Sequence, residues 1–295
     1  MNKPFFTGCC TALVTPFLEN KVNYPMLEII LQRQIAAGIP AVVIAGTTGE
    51  GATLSDDETL TLVSRAKRFA GKRCKIIAGT GSNNTAHAVA LSLEAQEAGA
   101  DALLVVSPYY NKASEEGLIA HYLSIAHAVH IPVILYNVPS RTGVDIPLSV
   151  YKRLSQIPNI IGVKEASTDI VKVSRIRSVC SPDFSVWSGN DDQAVAAISL
   201  GAQGVISVLS NVLPTETNAM AMAALDGDFD TAAHLQRKML PLVDALFSEV
   251  NPIPVKHAMK LCGYDCGIGR LPLTAMSSAK AELLSAQLQN LKAIP

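Results

Sequence analysis

Eight short apolar runs, rich in β-branched residues, recur along the first 210 residues of the chain and are separated by longer amphipathic segments. Runs that are apolar throughout are typical of parallel strands buried on both faces, each joined to the next by a helix. The pattern therefore predicts eight successive βα units. The predicted strands are residues 10–14, 41–46, 75–79, 102–106, 132–136, 160–164, 184–188 and 204–207.

The intervening segments carry the signals with which helices start and stop. Ser55 with Glu58 three residues later forms a capping box, and Gly38 and Gly99 follow predicted helices as C-caps. Further helix starts are predicted at Asn83-Asn84, at Ser114 and at Thr168-Asp169. After Pro214 the strand pattern stops, and residues 219–224, 232–247 and 273–291 have helical periodicity.

Eight βα units without a linker predict a closed (β/α)8 TIM barrel followed by a C-terminal all-helical extension. A doubly wound open sheet is the alternative, but eight similar units favour closure of the sheet. We place the barrel domain at residues 1–213 and the extension at residues 214–295, where it packs on the barrel or makes subunit contacts.

The charge pattern excludes several classes of function. Only 17% of the residues are charged, the net charge is −1, and no basic block is present, so neither nucleic acid nor a membrane surface is an expected partner. The longest uncharged run, residues 193–215, is interrupted by Gly201, Gly204 and Pro214 and does not resemble a membrane span. No secretory signal opens the sequence, which predicts a cytoplasmic protein.

The six cysteines predict neither disulfides nor a metal site. In a cytosolic chain they are expected to be free thiols. Cys262 and Cys266 have no second pair to complete a zinc site, and the six histidines form no metal-binding motif.

One predicted strand ends on a charged residue, Lys164, which Glu165 follows directly. A buried lysine loses the hydration of its charged form, which lowers its pKa and makes its amine a nucleophile for carbonyl groups. Taken alone, Lys164 is better explained as an ordinary strand-end lysine paired with Glu165. The residues that follow the other strands decide between these two interpretations.

Barrel enzymes carry their chemistry in the loops after the strands. The loop at residues 46–51 reads GTTGEG, which offers backbone N–H groups and two hydroxyls to a small carboxylate, although an ordinary glycine-rich turn explains it equally. The loop lacks the lysine of a nucleotide-binding P-loop. The loops after the seventh and eighth strands contain no basic residue, so we expect a substrate with carboxylates rather than phosphate.

Four further polar residues lie at or after the ends of the fourth and fifth strands. The neighbours Tyr109 and Tyr110 are most simply packing or interface residues. Tyr136 ends the fifth strand, beside the lysine strand, where a phenol could transfer a proton. Arg141 follows it, and its planar fork suits a carboxylate, with a surface ion pair as the alternative.

Together these motifs closely resemble the class I pyruvate-dependent lyases, the family of dihydrodipicolinate synthase and N-acetylneuraminate lyase. The resemblance covers essentially the whole chain. It rests on the GTTGE sequence at residues 46–50, YNVPSRTG at 136–143, VKEA at 163–166 and NPIPVK at 251–256, in this combination and order.

The resemblance implies roles for the catalytic residues. Lys164 forms a Schiff base with pyruvate, and Tyr136 shuttles protons through Thr47 to Tyr110, a tyrosine that in the family reaches in from the neighbouring subunit. Thr47 and Thr48 hold the carboxylate of pyruvate.

The resemblance further implies the substrates. Arg141 receives the carboxylate of the second substrate, L-aspartate 4-semialdehyde, and Gly189 and Ile206 contribute backbone groups beside the lysine. The implied reaction forms 4-hydroxy-tetrahydrodipicolinate, in the committed step of the diaminopimelate and lysine pathway. No metal or organic cofactor is implied, because the lysine itself serves as the electron sink. The family implies a homo-oligomer, a tetramer built as a dimer of dimers.

The resemblance also marks a possible allosteric site for lysine at Ala52, Asn83, His87 and Tyr109. His87 stands where a glutamate would meet the amino group of the effector, and Asp56 and Thr59 also depart from the pattern of strongly inhibited members. We therefore expect weak or absent inhibition by lysine. Asn190 stands where many synthases have aspartate, and we expect little consequence.

The sequence leaves two other functions open. One is a sister enzyme that cleaves or forms a sugar acid, against which Arg141 and the two threonines argue. The other is a barrel that binds a pyruvate-like ligand without turnover, against which the set of Lys164, Tyr136, Thr47 and Tyr110 argues.

Overall fold

A closed barrel of eight parallel strands forms the centre of the protein, in a computed structural model that describes residues 3–294. Each strand pairs with the next along the chain, and the last pairs with the first. The strands are β1 (Gly8–Ala12), β2 (Ala41–Ile44), β3 (Lys75–Gly79), β4 (Ala102–Val106), β5 (Val133–Asn137), β6 (Ile160–Glu165), β7 (Ser185–Ser188) and β8 (Gly204–Ser207). The predicted TIM barrel is confirmed.

Helices cover the outside of the barrel, and further helices follow it. Their bounds are Tyr24–Ala36, Asp56–Ala70, Thr85–Glu97, Glu115–Ala128, Pro139–Thr142, Leu148–Leu154, Val171–Val179, Ala194–Ser199, Pro214–Leu225, Phe229–Leu246, Ile253–Leu261 and Ser278–Asn290. Single 3-10 turns lie at Gly51–Thr53, Asp191–Gln193 and Leu209–Asn211, and a two-stranded ribbon joins Phe17–Leu18 to Lys21–Val22.

Most of the predicted helix starts are confirmed by their hydrogen bonds. The capping box is complete, since Glu58 N–H donates to Ser55 Oγ at 3.1 Å and Ser55 N–H donates to Glu58 Oε2 at 3.0 Å. Asn84 caps the next predicted helix. The start predicted at Thr168-Asp169 was wrong by two residues: the helix begins at Val171, whose N–H donates to Asp169 Oδ1 at 3.1 Å.

Apolar side chains pack on both faces of the barrel sheet, inside the lumen and beneath the helices. Inward-facing residues, including Cys10, Val43 and Ile206, fill the lumen, while outward-facing residues pack beneath the helices. Trp187 is fully buried in the lumen, where its ring stacks on Phe6 at 4.7 Å and its Nε1 donates to the Phe6 carbonyl at 3.2 Å. Because Phe6 precedes β1, the pair fills the barrel toward the start of that strand and leaves the carboxyl ends of the strands for the site.

The C-terminal helices pack directly on the barrel. Pro214–Leu225 lies against β1, where Cys9 N–H donates to Asn218 Oδ1 at 3.2 Å. The predicted boundary between residues 213 and 214 falls just before this helix and stays a prediction. Helix Ile253–Leu261 was missed by the periodicity, and the last helix begins at Ser278 rather than at residue 273. No helix among residues 3–294 has the length and hydropathy to cross a membrane.

Candidate active site

Lys164 points into the barrel from the carboxyl end of β6 and is only 5% exposed. Its Nζ makes no hydrogen bond or ion pair with any residue between 3 and 294. Glu165, the next residue, faces the opposite side of the sheet, as strand geometry requires. Its buried carboxylate accepts from Asn137 Nδ2 at 3.0 Å and from Ser167 N–H at 2.7 Å. The simple explanation, a strand-end lysine paired with Glu165, is therefore wrong.

Tyr136 lies beside Lys164 on the neighbouring strand. The two residues are partners in the register of β5 and β6, and Lys164 Nζ lies 4.4 Å from the centroid of the Tyr136 ring. Both side chains are buried. A phenol this close to the amine is placed to give and take protons during chemistry at the lysine.

Gly189 leaves room for the stem of the lysine. A Cβ on this glycine would lie 3.0 Å from Lys164 Cε and 2.6 Å from Ala166 Cβ, so a larger residue would displace the amine. The Gly189 N–H donates to the Glu165 carbonyl at 2.7 Å. Ile206 is fully buried in the lumen cluster that also contains Tyr136.

The loop after β2 presents hydrogen-bond donors next to this pair. The N–H groups of Thr47 and Thr48 donate to no acceptor in the described part of the chain, and the Thr47 hydroxyl is likewise unpaired. Two residues around them, Ala45 at φ 55° and Glu50 at φ 59°, are left-handed. At Gly51 a Cβ would lie 2.2 Å from the Ala45 carbonyl oxygen, so the tight turn requires glycine.

A cavity of about 470 Å³ opens over the carboxyl ends of the strands. The residues that line it include Thr47, Tyr136, Arg141 and Asn251. Lys164 is not among them, so the lysine adjoins the cavity through the Tyr136 ring. The outer part of the cavity continues past Asp56, His87 and Tyr109.

Arg141 stands at the rim of this cavity in the short helix Pro139–Thr142, with its side chain exposed. One guanidinium nitrogen, Nη2, donates to the Asn251 carbonyl at 3.3 Å. Within residues 3–294 the guanidinium has no carboxylate partner, so the surface ion pair considered for Arg141 does not form. Its remaining donors are free to bind an anionic group of a ligand.

Asn251 is a site residue to which the sequence assigned no role. It is 5% exposed, and its Nδ2 donates to Thr48 Oγ1 at 3.0 Å while its carbonyl accepts from Arg141. One residue of the C-terminal extension thus links the GTTGEG loop to the arginine. The only signal was the NPIPVK motif, because a separation of 203 residues from Thr48 leaves no local pattern.

Tyr110 is not brought to the site by a single chain. It is 91% exposed, at φ 72° in the loop after β4, whereas the neighbouring Tyr109 is 38% exposed and lines the cavity. Within one chain, Tyr110 therefore does not line the cavity that Thr47 and Tyr136 line.

Three of the four residues marked as a possible allosteric site line the same cavity, and Asn83 does not. Ala52, His87 and Tyr109 line the outer cavity, and the Asn83 carbonyl accepts from Asn111 Nδ2 at 3.0 Å. The His87 Nε2 lies 3.0 Å from a carboxylate oxygen of Asp56, with both side chains roughly half exposed. The imidazole is thus already engaged by an acidic group.

A buried carboxylate joins the loops after β7 and β8. Asp191 Oδ2 accepts from the N–H groups of Val208 and Leu209 at 2.9 and 3.0 Å. Burial raises the pKa of this carboxyl above its ordinary value. Asn190 beside it donates through Nδ2 to the Ser167 carbonyl at 2.7 Å, which ties this loop to the loop after β6.

Comparisons with known proteins identify the family of this chain. The profile of the Dihydrodipicolinate synthetase family matches residues 5–291. A 4-hydroxy-tetrahydrodipicolinate synthase of an Exiguobacterium species is 50% identical over 96% of this chain and 98% of its own, and one from Acetivibrio thermocellus is 47% identical over 98% and 99%. The crystal structure of chloride-inhibited dihydrodipicolinate synthase from Acinetobacter baumannii, complexed with pyruvate, superposes with a TM-score of 0.95 at 41% identity, covering 98% of this chain and all of that one. This chain belongs to the dihydrodipicolinate synthetase family.

Proposed function

We propose that this chain is a lyase that condenses pyruvate with L-aspartate 4-semialdehyde to form 4-hydroxy-tetrahydrodipicolinate, the committed step toward diaminopimelate and lysine. The observation that carries the proposal is the contact between Lys164 and Tyr136, 4.4 Å from amine to ring centroid, inside an apolar barrel. Similarity to synthases over the full length supports the choice of substrates.

The first half of the reaction takes place at Lys164. Its neutral amine attacks the ketone carbon of pyruvate to give a carbinolamine, and loss of water gives an iminium ion. Tyr136 supplies and removes the protons of these steps, and Thr47 passes them toward a tyrosine of the neighbouring subunit at position 110. The N–H groups of Thr47 and Thr48 are the unpaired donors available to the pyruvate carboxylate.

The second half forms the carbon–carbon bond. The iminium withdraws electrons, so the methyl group loses a proton and an enamine forms. The enamine carbon attacks the aldehyde of aspartate semialdehyde, whose carboxylate is held by Arg141. The amine of that substrate then attacks the imine carbon and displaces Lys164, which closes the ring and frees the enzyme.

We also propose that the working enzyme is a homo-oligomer, a dimer of dimers in the family pattern. Tyr110 is 91% exposed and Leu271 80% exposed, so both side chains offer surface that a subunit contact would bury. Sedimentation analysis of the wild type checks the assembly, and a monomer that turns over at the full rate would contradict it. The cytoplasmic location stays a prediction.

Borohydride reduction in the presence of pyruvate tests the central step. Reduction of the iminium leaves a stable adduct, which intact-mass analysis detects and peptide mapping places on Lys164. The Lys164→Arg variant, which keeps the charge but cannot form the Schiff base, serves as the control. Absence of an adduct on the wild type would overturn the proposal. Parallel turnover assays with aspartate semialdehyde and with N-acetylneuraminate separate the synthase from a sugar-acid lyase.

A further inference from the structure

A buried ion pair joins the GTTGEG loop to the C-terminal extension. Lys256, in helix Ile253–Leu261, places its Nζ 2.6 Å from Glu50 Oε1. The two side chains are 3% and 0% exposed. An ion pair this deeply buried is costly to desolvate and does not by itself indicate stability, whereas it can fix the local geometry of the two segments that it joins.

The ion pair is built into a wider set of contacts from the extension. The second oxygen of Glu50 accepts the Arg270 N–H at 2.9 Å. Lys256 Nζ lies 4.2 Å from the ring centroid of Phe17, and the Arg270 guanidinium lies 4.5 Å from the same centroid. Burial lowers the pKa of Lys256, against the opposing effect of the Glu50 carboxylate. The carboxylate of Glu50 is thus fixed from two directions by residues more than 200 positions away in the sequence.

Backbone hydrogen bonds connect Glu50 to the part of the loop that carries Thr47 and Thr48. Its N–H donates to the Thr47 carbonyl at 3.1 Å, and its own carbonyl accepts from Thr53 N–H at 2.9 Å. Glu50 holds a left-handed conformation, φ 59°, which costs free energy in any residue with a side chain. A residue keeps such a strained conformation only when its surroundings impose it. For Glu50, we attribute this constraint to the contacts of its carboxylate with Lys256 and Arg270.

We propose that Lys256 is a positioning residue for pyruvate, acting through Glu50 to hold the Thr47 and Thr48 donors in place. The C-terminal extension thereby completes the first-substrate subsite without touching the substrate. This inference rests on the proposed function, since it assumes that these donors bind the pyruvate carboxylate. It assigns Lys256 no part in the binding of the second substrate, whose carboxylate Arg141 receives.

The Lys256→Met variant tests the proposal against a matched control, Lys260→Met. Lys260 lies one turn further along the same helix, is 64% exposed and pairs with Asp265 at 3.4 Å. Because small misplacements of substrate-positioning groups slow reactions strongly, kcat/KM for pyruvate should fall about 10- to 100-fold in Lys256→Met. The value of kcat/KM for aspartate semialdehyde should stay within about twofold of that of the wild type. In Lys260→Met, kcat/KM for both substrates should stay within the same range.

A second variant keeps the test decisive if Lys256→Met does not fold. Glu50→Gln combined with Lys256→Met removes both charges and leaves no unpaired buried carboxylate. The same selective loss for pyruvate is expected, with the melting temperature recorded alongside. Parallel loss of both specificity constants, or a lower melting temperature with unchanged kinetics, would overturn the positioning role.

Borohydride trapping separates this inference from the proposed function. At saturating pyruvate the variants should still form the adduct on Lys164, only more slowly at low pyruvate. No adduct in the wild type would refute the Schiff-base function itself. An adduct in the wild type with unchanged pyruvate dependence in the variants would refute the role of Lys256 alone.

Discussion

Lys164 and Tyr136 are register partners on adjacent strands, and the amine of one lies 4.4 Å from the ring centroid of the other. The residues that follow them, Glu165 and Asn137, are also partners and hydrogen-bond to each other on the outer side of the sheet, at 3.0 Å. The same two strands therefore place Lys164 and Tyr136 together in the lumen and a hydrogen-bonded pair, Asn137 and Glu165, against the helix layer. The hydrogen bond on the outer side helps to hold the register that brings Lys164 beside Tyr136.

Replacing Tyr136 by phenylalanine removes the phenol while keeping the ring packed against Lys164. Loss of a positioned proton donor typically lowers turnover about 10²- to 10⁴-fold, so kcat should fall by that amount. The melting temperature should change little, because no hydrogen bond from the Tyr136 hydroxyl is formed within residues 3–294. Steady-state kinetics and thermal unfolding check both statements, and near-normal turnover in Tyr136→Phe would contradict the proton-transfer role.

Replacing Arg141 by alanine should affect the second substrate selectively. A hydrogen bond to a charged group contributes about 1.5–3 kcal/mol, so kcat/KM for aspartate semialdehyde should fall about 10- to 100-fold. The value of kcat/KM for pyruvate should stay within about twofold of that of the wild type. Arg175→Ala, at an exposed arginine paired with Asp169, is the control. Equal losses for both substrates in Arg141→Ala would show that the arginine does not select the aldehyde.

Replacing Gly189 by alanine should slow Schiff-base formation. The new Cβ would meet Lys164 Cε at 3.0 Å and Ala166 Cβ at 2.6 Å, so either the lysine stem or the loop must move. Overpacking of this kind costs about 1–3 kcal/mol of stability. The rate of adduct formation under borohydride measures the displacement of the amine. Gly117→Ala, in the first turn of helix Glu115–Ala128, would bring a Cβ to 3.3 Å from Ala113 Cβ and Ser114 Oγ and should leave that rate unchanged.

The sequence predicted the barrel well because its strands are buried on both faces and so read as uninterrupted apolar runs. Residues 75–79, 102–106 and 204–207 were predicted to the residue, while β1 begins at Gly8 rather than at residue 10. The polar strand ends, Lys164 and Tyr136 among them, could be grouped because the fold brings every strand end to one rim.

Contacts from the extension could not be predicted. Asn251 meets Thr48 across 203 residues and Lys256 meets Glu50 across 206, and no periodicity encodes such pairs. A lysine in an amphipathic helix gives no sign that it will be buried against a glutamate. Tyr110 is a different case, since it is 91% exposed and its role in the site depends on the proposed second subunit.

Lysine should inhibit the enzyme weakly or not at all. His87 lies 3.0 Å from the Asp56 carboxylate, so the side chain that faces the outer cavity is an imidazole that already contacts an acidic group. It offers no carboxylate to the ammonium group of a lysine ligand. Turnover assays with increasing lysine check this prediction, and inhibition at low micromolar lysine would contradict it. His87→Glu supplies a carboxylate at this position and should increase whatever sensitivity exists.

Stability should fall in mild acid through His121. This residue is 3% exposed, its Nδ1 lies 2.9 Å from Thr85 Oγ1, and its Nε2 has no partner. Burial lowers the pKa of His121 from 6.5 to about 4. Between these two values the unfolded chain binds a proton that the native chain does not, so this contribution to stability is complete above pH 6.5 and is lost as the pH falls toward 4.

The size of the effect follows from the shift in pKa. A shift of this size corresponds to about 3 kcal/mol across the window, and His121→Gln should remove that part of the pH dependence. Urea unfolding of the wild type and the variant at several pH values between 7 and 4.5 measures the difference in slope. His127→Gln, at an exposed histidine on the same helix, should keep the slope of the wild type. If His121→Gln loses stability in acid as steeply as the wild type, other groups govern the acid limit of this fold.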